Sequence, residues 1–182
     1  MSLISDRMRE LNEDMHKTKY GTGGGSWAPV VIGLVNASRW GGDVAIKSVL
    51  DYGCGKGFLK MVLDRDFSGQ VKVWEYDPCV EGKKELPGPA DLVICTDVME
   101  HVERDSLDGV LAHILSLTRV FCYLAINMTP SGKVLKDGSN AHQLQRSAFW
   151  WSVILKDKCL PFIPMPVHDR ARYCAFLVSK VK

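Results

Sequence analysis

The stretch Val49-Leu-Asp-Tyr-Gly-Cys-Gly-Lys-Gly57 constrains the fold of this chain more than any other. An apolar run leads into an acid, Asp51, and then into glycines at 53, 55 and 57. Glycine lets the backbone turn sharply and approach another group with no Cβ in the way. Phe58 to Asp64 then opens a helix, so the segment reads as strand, turn and helix start. The free N–H groups of such a helix start suit a carboxylate or phosphate. A glycine-rich turn alone is only a tight connection. The acid two residues before the first glycine, and G-x-G-x-G spacing in place of G-x-G-x-x-G, point away from a dinucleotide.

The rest of the chain repeats the alternation that this turn begins. Residues 4–18 predict a polar helix, and the run from Tyr20 to Ser26 predicts a flexible glycine hinge. Trp27–Ala37 predicts an apolar helix with proline near its start. Strands are expected at 48–52, 70–75, 90–96 and 120–127, and helices at 107–117 and 147–155. A closing antiparallel pair is expected at 162–167 and 172–181. Ala90–Thr96 is continuously apolar, as in a strand buried on both faces of a parallel sheet. Together these predict an α/β fold, a Rossmann-like doubly wound, mostly parallel sheet with an antiparallel C-terminal strand. Only fifteen residues lie between Glu75 and Asp91, too few for a helix, a strand and loops. The third strand of such a sheet is therefore expected to be short or missing. The 182 residues fit one domain, with 1–26 as an N-terminal arm or lid and 27–182 as the core.

Composition excludes more than it selects. The formal net charge is +2, so no strong nucleic-acid-binding signature is present and no membrane partner is expected. No apolar run reaches the length of a membrane span. The N-terminal stretch is charged throughout, unlike a secretion signal. Cysteines 54, 79, 95, 122, 159 and 174 are scattered without a C-x-x-C pair, and several sit in apolar runs. A reducing, cytoplasmic compartment is expected. Oligomeric state is not readable.

A second acid, Glu75, sits at the end of the next strand, about 20 residues past the glycines, where ribose hydroxyls are held in such folds. It is otherwise a solvated strand end. Tyr76 beside it is a candidate to lie against an adenine ring, or else a packing tyrosine. Asp77 is the alternative acid, although Asp77-Pro78 also reads as a turn. Further on, Asp97-Val-Met-Glu-His101 follows the 90–96 strand, and one turn would bring Asp97, Glu100 and His101 together. His142 follows the next strand.

VLDYGCGKG, WEYDP and ADLVICTDVMEHV together resemble class I S-adenosylmethionine-dependent methyltransferases over roughly residues 48–130. Together with the later DGSNAH, they look particularly like uncharacterised bacteriophage-encoded methyltransferases, which would place the protein in the host cytoplasm. The resemblance implies that Asp51, Gly53, Gly55 and Gly57 flank the methionine part of S-adenosylmethionine. It implies that Glu75 holds the ribose and that Thr96 and Asp97 lie near the cofactor. The short 76–90 segment leaves the adenine-contacting residues unassigned.

The acid-x-x-Glu-His motif with a downstream histidine is similar to two branches that methylate hydroxyl groups, the small-RNA 3′-terminal 2′-O-methyltransferases and the ubiquinone-pathway O-methyltransferases. In the RNA branch those four side chains hold a divalent cation. Asp97, Glu100, His101 and His142 are thus the candidate metal ligands, and imidazole favours a transition metal over magnesium. The same Glu-His pair orients a substrate or caps a helix elsewhere in the family. The expected activity is methyl transfer to a hydroxyl oxygen of a small molecule or an RNA end, with His101, His142 and Glu100 as catalytic candidates. The alternative is a protein that binds S-adenosylmethionine or S-adenosylhomocysteine without transfer, as a sensor or activating subunit.

Other features are open to two readings. Trp150 and Trp151 suit stacking or core packing, and Lys133, Lys136 and Arg146 suit a phosphate or a solvated loop. Asn127-Met-Thr-Pro130 resembles the Asn-Pro-Pro-aromatic motif of amino-methylating enzymes. It follows the fifth strand of that family instead of the fourth, which argues against a base N-methyltransferase.

Overall fold

Apolar runs too short for helices form the centre of the molecule. Strand β1 (Ser48–Tyr52) is buried at every position, and β3 (Ala90–Thr96) at all but one. Successive side chains in a strand point to opposite faces, so a fully buried strand needs cover on both sides. The computed structural model, which describes residues 3–18, 20–41, 45–158 and 160–180, supplies that cover. Cys159, Val181 and the first two residues of the expected arm lie outside the described residues.

Six strands form one sheet in the order β2-β1-β3-β4-β6-β5, with β2 (Lys72–Tyr76), β4 (Thr118–Asn127), β5 (Phe162–Met165) and β6 (Tyr173–Ser179) completing the set. The first four strands in that order run parallel, while β6 pairs antiparallel with both β4 and β5. On one face Leu50, Val93 and Cys95 pack with Leu111 and Ile114 of α4 (Leu107–Leu117) and Trp151 of α5 (Ala148–Asp157). On the other, Val49, Leu92 and Ile94 pack with Val31 and Val35 of α2 (Ala28–Gly41) and Leu59 and Leu63 of α3 (Phe58–Phe67). This is the doubly wound, mostly parallel sheet that the alternation predicted.

Between β2 and β3, residues 77–89 contain turns and bends but no strand or helix. Prolines 78, 87 and 89 in that stretch lack the N–H that a sheet ladder needs. The third strand is therefore missing, and β2 is an edge.

Helix α1 is shorter than the expected 4–18, running Asp6–His16, because Ser5 caps it by accepting from the Met8 N–H at 3.1 Å. The expected glycine hinge is packed. Residues Gly23–Trp27 form a 3-10 turn against α3, where a Cβ on Gly24 would lie 3.6 Å from that of Leu59. Five described cysteines are free and buried, consistent with cysteine as a small apolar residue. No helix among the described residues is long and apolar enough to cross a membrane.

Candidate active site

Parallel strands end together, so Tyr52, Tyr76, Thr96 and Asn127 bring their following loops to one edge of the sheet. Doubly wound folds place ligands outside this edge. After β1 the chain turns through Gly53 (φ 76°) and Gly55 (φ 52°), in the left-handed region. A Cβ on Gly53 would collide with Val98, and one on Gly55 would lie 2.6 Å from the Gly21 carbonyl oxygen. Gly57 starts α3. The turn is fixed by its neighbours. The Gly53 N–H donates to the Tyr76 carbonyl at 2.7 Å, and the Gly55 N–H to Asp77 Oδ2 at 2.9 Å.

Asp51 is buried, and its Oδ2 has no partner. Burial raises its carboxyl to about 7, and the Glu75 charge pushes the same way. Glu75 itself accepts from Lys83 Nζ at 2.9 Å, and the same ammonium reaches the Gly55 carbonyl at 3.2 Å. Tyr76 packs inward against Tyr52, ring centroids 5.0 Å apart, and is 3% exposed, so its ring belongs to the core instead of facing a ligand. Asp77 is the acid beyond the strand end. It is buried and bonds the Gly55 and Cys79 N–H groups through separate oxygens.

After β3 the backbone turns at Asp97 (φ 55°), and the Trp27 indole N–H donates to Asp97 Oδ2 at 2.8 Å. A short 3-10 turn, Met99–His101, follows. Glu100 is completely buried. Its Oε1 accepts from the Asn127 N–H at 3.1 Å, while Oε2 has no partner. Burial, and secondarily Asp97, raises its carboxyl well above the ordinary range. The Glu100 carbonyl accepts from the Gln143 and Leu144 N–H groups, which carries the 128–147 loop across to this turn.

That loop delivers His142 beside His101, ring centroids 4.8 Å apart. His101 Nδ1 bonds the Ala141 carbonyl at 2.8 Å, and His142 Nδ1 bonds the Thr129 carbonyl at 2.6 Å. A carbonyl only accepts, so Nδ1 carries a proton in both rings, and the lone pair of the neutral imidazole is then on Nε2. Burial, with His142 adding to it, lowers His101 to about 4. One ligand atom each from Glu100, His101 and His142 lie within 4.8 Å of one another. Asp97 is outside this group.

One cavity of about 700 Å³ joins these features. Asp51, Gly53, Gly55, Asp77, Thr96, Asp97, His101 and His142 all line it. Gly57, Glu75, Tyr76 and Glu100 do not line it. Lys133 lines it, Lys136 ion-pairs with Asp14, Trp151 is core, and Trp150 lies beneath Arg104 and Arg146. The arm contributes residues that sequence reasoning missed. Tyr20 Oη lies 2.8 Å from His101 Nε2, and Asn12 and His16 line the cavity. No local pattern marks any of these three, since their roles come from how α1 packs.

A family model described as a methyltransferase domain matches residues 36–164. No curated protein matches the chain. Solved structures share the fold. Magnesium protoporphyrin IX methyltransferase from Synechocystis PCC 6803, solved with bound SAM, is 17% identical with a TM-score of 0.59, covering 90% of this chain and 85% of its own. The 1,6-didemethyltoxoflavin-N1-methyltransferase of Burkholderia thailandensis, with bound 1,6-didemethyltoxoflavin and S-adenosylhomocysteine, is 16% identical with a TM-score of 0.57, covering 88% and 80%. A SAM-dependent methyltransferase from Aquifex aeolicus is 18% identical with a TM-score of 0.51, covering 85% and 98%.

Proposed function

We propose that the chain, which belongs to the methyltransferase domain family, holds S-adenosylmethionine beside its glycine turn and methylates a hydroxyl oxygen held near His101 and His142. The observation that carries this is the single cavity running from Asp51 and the glycine turn to the two histidines. At about 700 Å³ it is within the range of small-ligand sites. Its polar groups suit this cofactor. The unpartnered Asp51 oxygen suits the methionine ammonium, and Asp77, which lines the cavity beyond the strand end, suits ribose hydroxyls better than Glu75, which does not line it. Bound S-adenosylmethionine supplies a methyl group on a sulfonium leaving group.

The protein's own task is then to position the acceptor and take its proton. A hydroxyl is a weak nucleophile while protonated. Carbonyls on Nδ1 put the lone pair of each neutral ring on Nε2, so His101 and His142 can accept that proton there. The same arrangement suits a cation, because metal-binding histidines commonly donate their other N–H to a carbonyl. The unpartnered, buried Glu100 oxygen fits the third position. Glu100, His101 and His142 would hold such a divalent ion, which would lower the pKa of the hydroxyl.

The near-neutral charge and the small volume of the cavity favour a small hydroxylated acceptor over an RNA end. Incubating the protein with cofactor labelled in the methyl group, separately with small hydroxylated metabolites and with RNA oligonucleotides, tests this. Label in a small molecule is the expected result. Label in RNA replaces the acceptor class, and cofactor binding with no transfer to any acceptor supports a sensor or activating subunit instead.

A further inference from the structure

Residues 77–89 leave one wall of the cavity unbuilt, since only Asp77, Pro78 and Cys79 of that segment line it. Helix α1 lies across the gap. At its start the Ser5 N–H and Oγ both donate to the Glu103 carboxylate, at 2.9 and 2.8 Å, in the loop after β3. Near its end Glu13 accepts from Lys84 Nζ at 2.7 Å, in the loop after β2. The helix therefore bridges the loops that leave the two strands flanking β1.

Two polar residues on this helix face inward. Asn12 and His16 are four residues apart, on one side of α1, and both line the cavity. Asn12 is 8% exposed. Its Nδ2 donates to the Met8 carbonyl at 2.9 Å, which leaves Oδ1 as the acceptor it can offer. His16 Nδ1 is buried with no partner, and burial holds the ring's pKa below the ordinary histidine value. A polar atom removed from water without a partner is unfavourable unless something else completes it. Close by, Leu3, Val102 and Val110 belong to one apolar cluster and line the same cavity. An apolar surface with a few polar groups at its edge is the usual character of a site for a planar base.

We infer that α1 is the nucleoside-recognition element of this protein, with Asn12 and His16 hydrogen-bonded to the adenosine part of S-adenosylmethionine and Leu3, Val102 and Val110 against the base. This rests on the cofactor reading above and adds Leu3, Asn12 and His16, which lie outside the matched family region, 36–164. Asn12 Oδ1 accepts from the exocyclic amine of adenine. His16 Nδ1 meets a ribose hydroxyl on the side of Asp77.

Calorimetric titration with S-adenosylhomocysteine and with S-inosylhomocysteine, which has a carbonyl in place of that amine, tests the inference. The wild type is expected to prefer the adenosyl compound by roughly 5-fold or more. Asn12→Ala is expected to erase most of that preference, and His16→Leu to weaken both ligands by roughly 3- to 10-fold. Hydrogen exchange on the wild type keeps the test independent of how the variants fold. S-adenosylhomocysteine should slow exchange across residues 8–16, and methionine alone should not. Equal affinity for the two compounds, with unchanged exchange over 8–16, overturns the inference while leaving the cofactor site standing. No binding of S-adenosylhomocysteine to the wild type overturns the cofactor reading itself, and this inference with it.

Discussion

The Tyr20 hydroxyl lies 2.8 Å from Nε2 of His101, the nitrogen left free when Nδ1 bonds the Ala141 carbonyl. With Nδ1 protonated, Nε2 can only accept, so the tyrosine is the donor. A residue of the arm thus fills the one hydrogen-bonding position that His101 has to offer an acceptor.

Removing that hydroxyl should help the acceptor to bind. Tyr20→Phe is expected to lower KM for the acceptor by roughly 3- to 10-fold, the loss of one competing hydrogen bond, with the affinity for S-adenosylhomocysteine unchanged. Steady-state kinetics distinguish this from a proton relay through Tyr20, for which kcat would fall and KM stay level.

The two acids near the end of β2 should separate clearly. Asp77→Asn is expected to weaken S-adenosylhomocysteine by roughly 10-fold or more, the scale of a hydrogen bond to a charged acceptor, and Glu75→Gln by less than about 3-fold. Calorimetry on both variants checks this. The reverse order would assign the ribose to Glu75, as the spacing in the sequence has it.

The buried carboxyl of Asp51 should make stability depend on pH. Its folded value of about 7 lies above the unfolded one, so the folded state favours the protonated form. That contribution is fully present below about pH 4 and is lost as pH rises through about 7. Asp51→Asn should flatten the profile and raise stability at about pH 8 by on the order of 3 kcal/mol, measured by urea denaturation. A cationic group beside Asp51 favours the carboxylate. S-adenosylhomocysteine, which carries an ammonium, should therefore release protons on binding at about pH 6. Calorimetry in buffers of different ionisation enthalpy would detect this, and no release would place the ammonium elsewhere.

His142→Ala is expected to reduce methyl transfer by about 100-fold or more, the usual size of a general-base contribution, with S-adenosylhomocysteine affinity within about 2-fold of wild type. Chelation before the labelled-methyl assay separates the two roles open to the histidines. Loss that manganese restores supports a cation at Glu100, His101 and His142. Transfer that survives chelation leaves the histidines as bases alone.

Much of the fold was legible because its signals are local. Apolar runs of strand length with glycines at 53, 55 and 57 mark β1, the turn and α3, and the observed Leu107–Leu117 helix has the bounds that its periodicity gives. That the third strand would be short or missing followed from chain length alone. The site was legible only where one segment carries it, as from Asp97 to His101. Spacing could not tell which of Glu75 and Asp77 lines the cavity, because that depends on where β2 stops, at Tyr76, one residue beyond the expected end. Tyr20, Asn12 and His16 were not legible at all. Nothing near them in sequence shows that Ser5 meets Glu103, 98 residues away, or that the glycines after Tyr20 pack on α3.

The Gly21 carbonyl accepts from the Lys56 N–H at 2.9 Å, which joins the arm to the glycine turn through the backbone. If closing the arm and filling the cavity favour each other, linkage makes the effect reciprocal: whatever factor the docked arm adds to cofactor affinity, bound cofactor adds to arm docking. Three further ties of the arm, Arg7 to Asp137, Asp14 to Lys136 and Glu13 to Lys84, are ion pairs at the surface, which dissolved salt screens. Cofactor residence time would then shorten as ionic strength rises, although none of those six side chains lines the cavity.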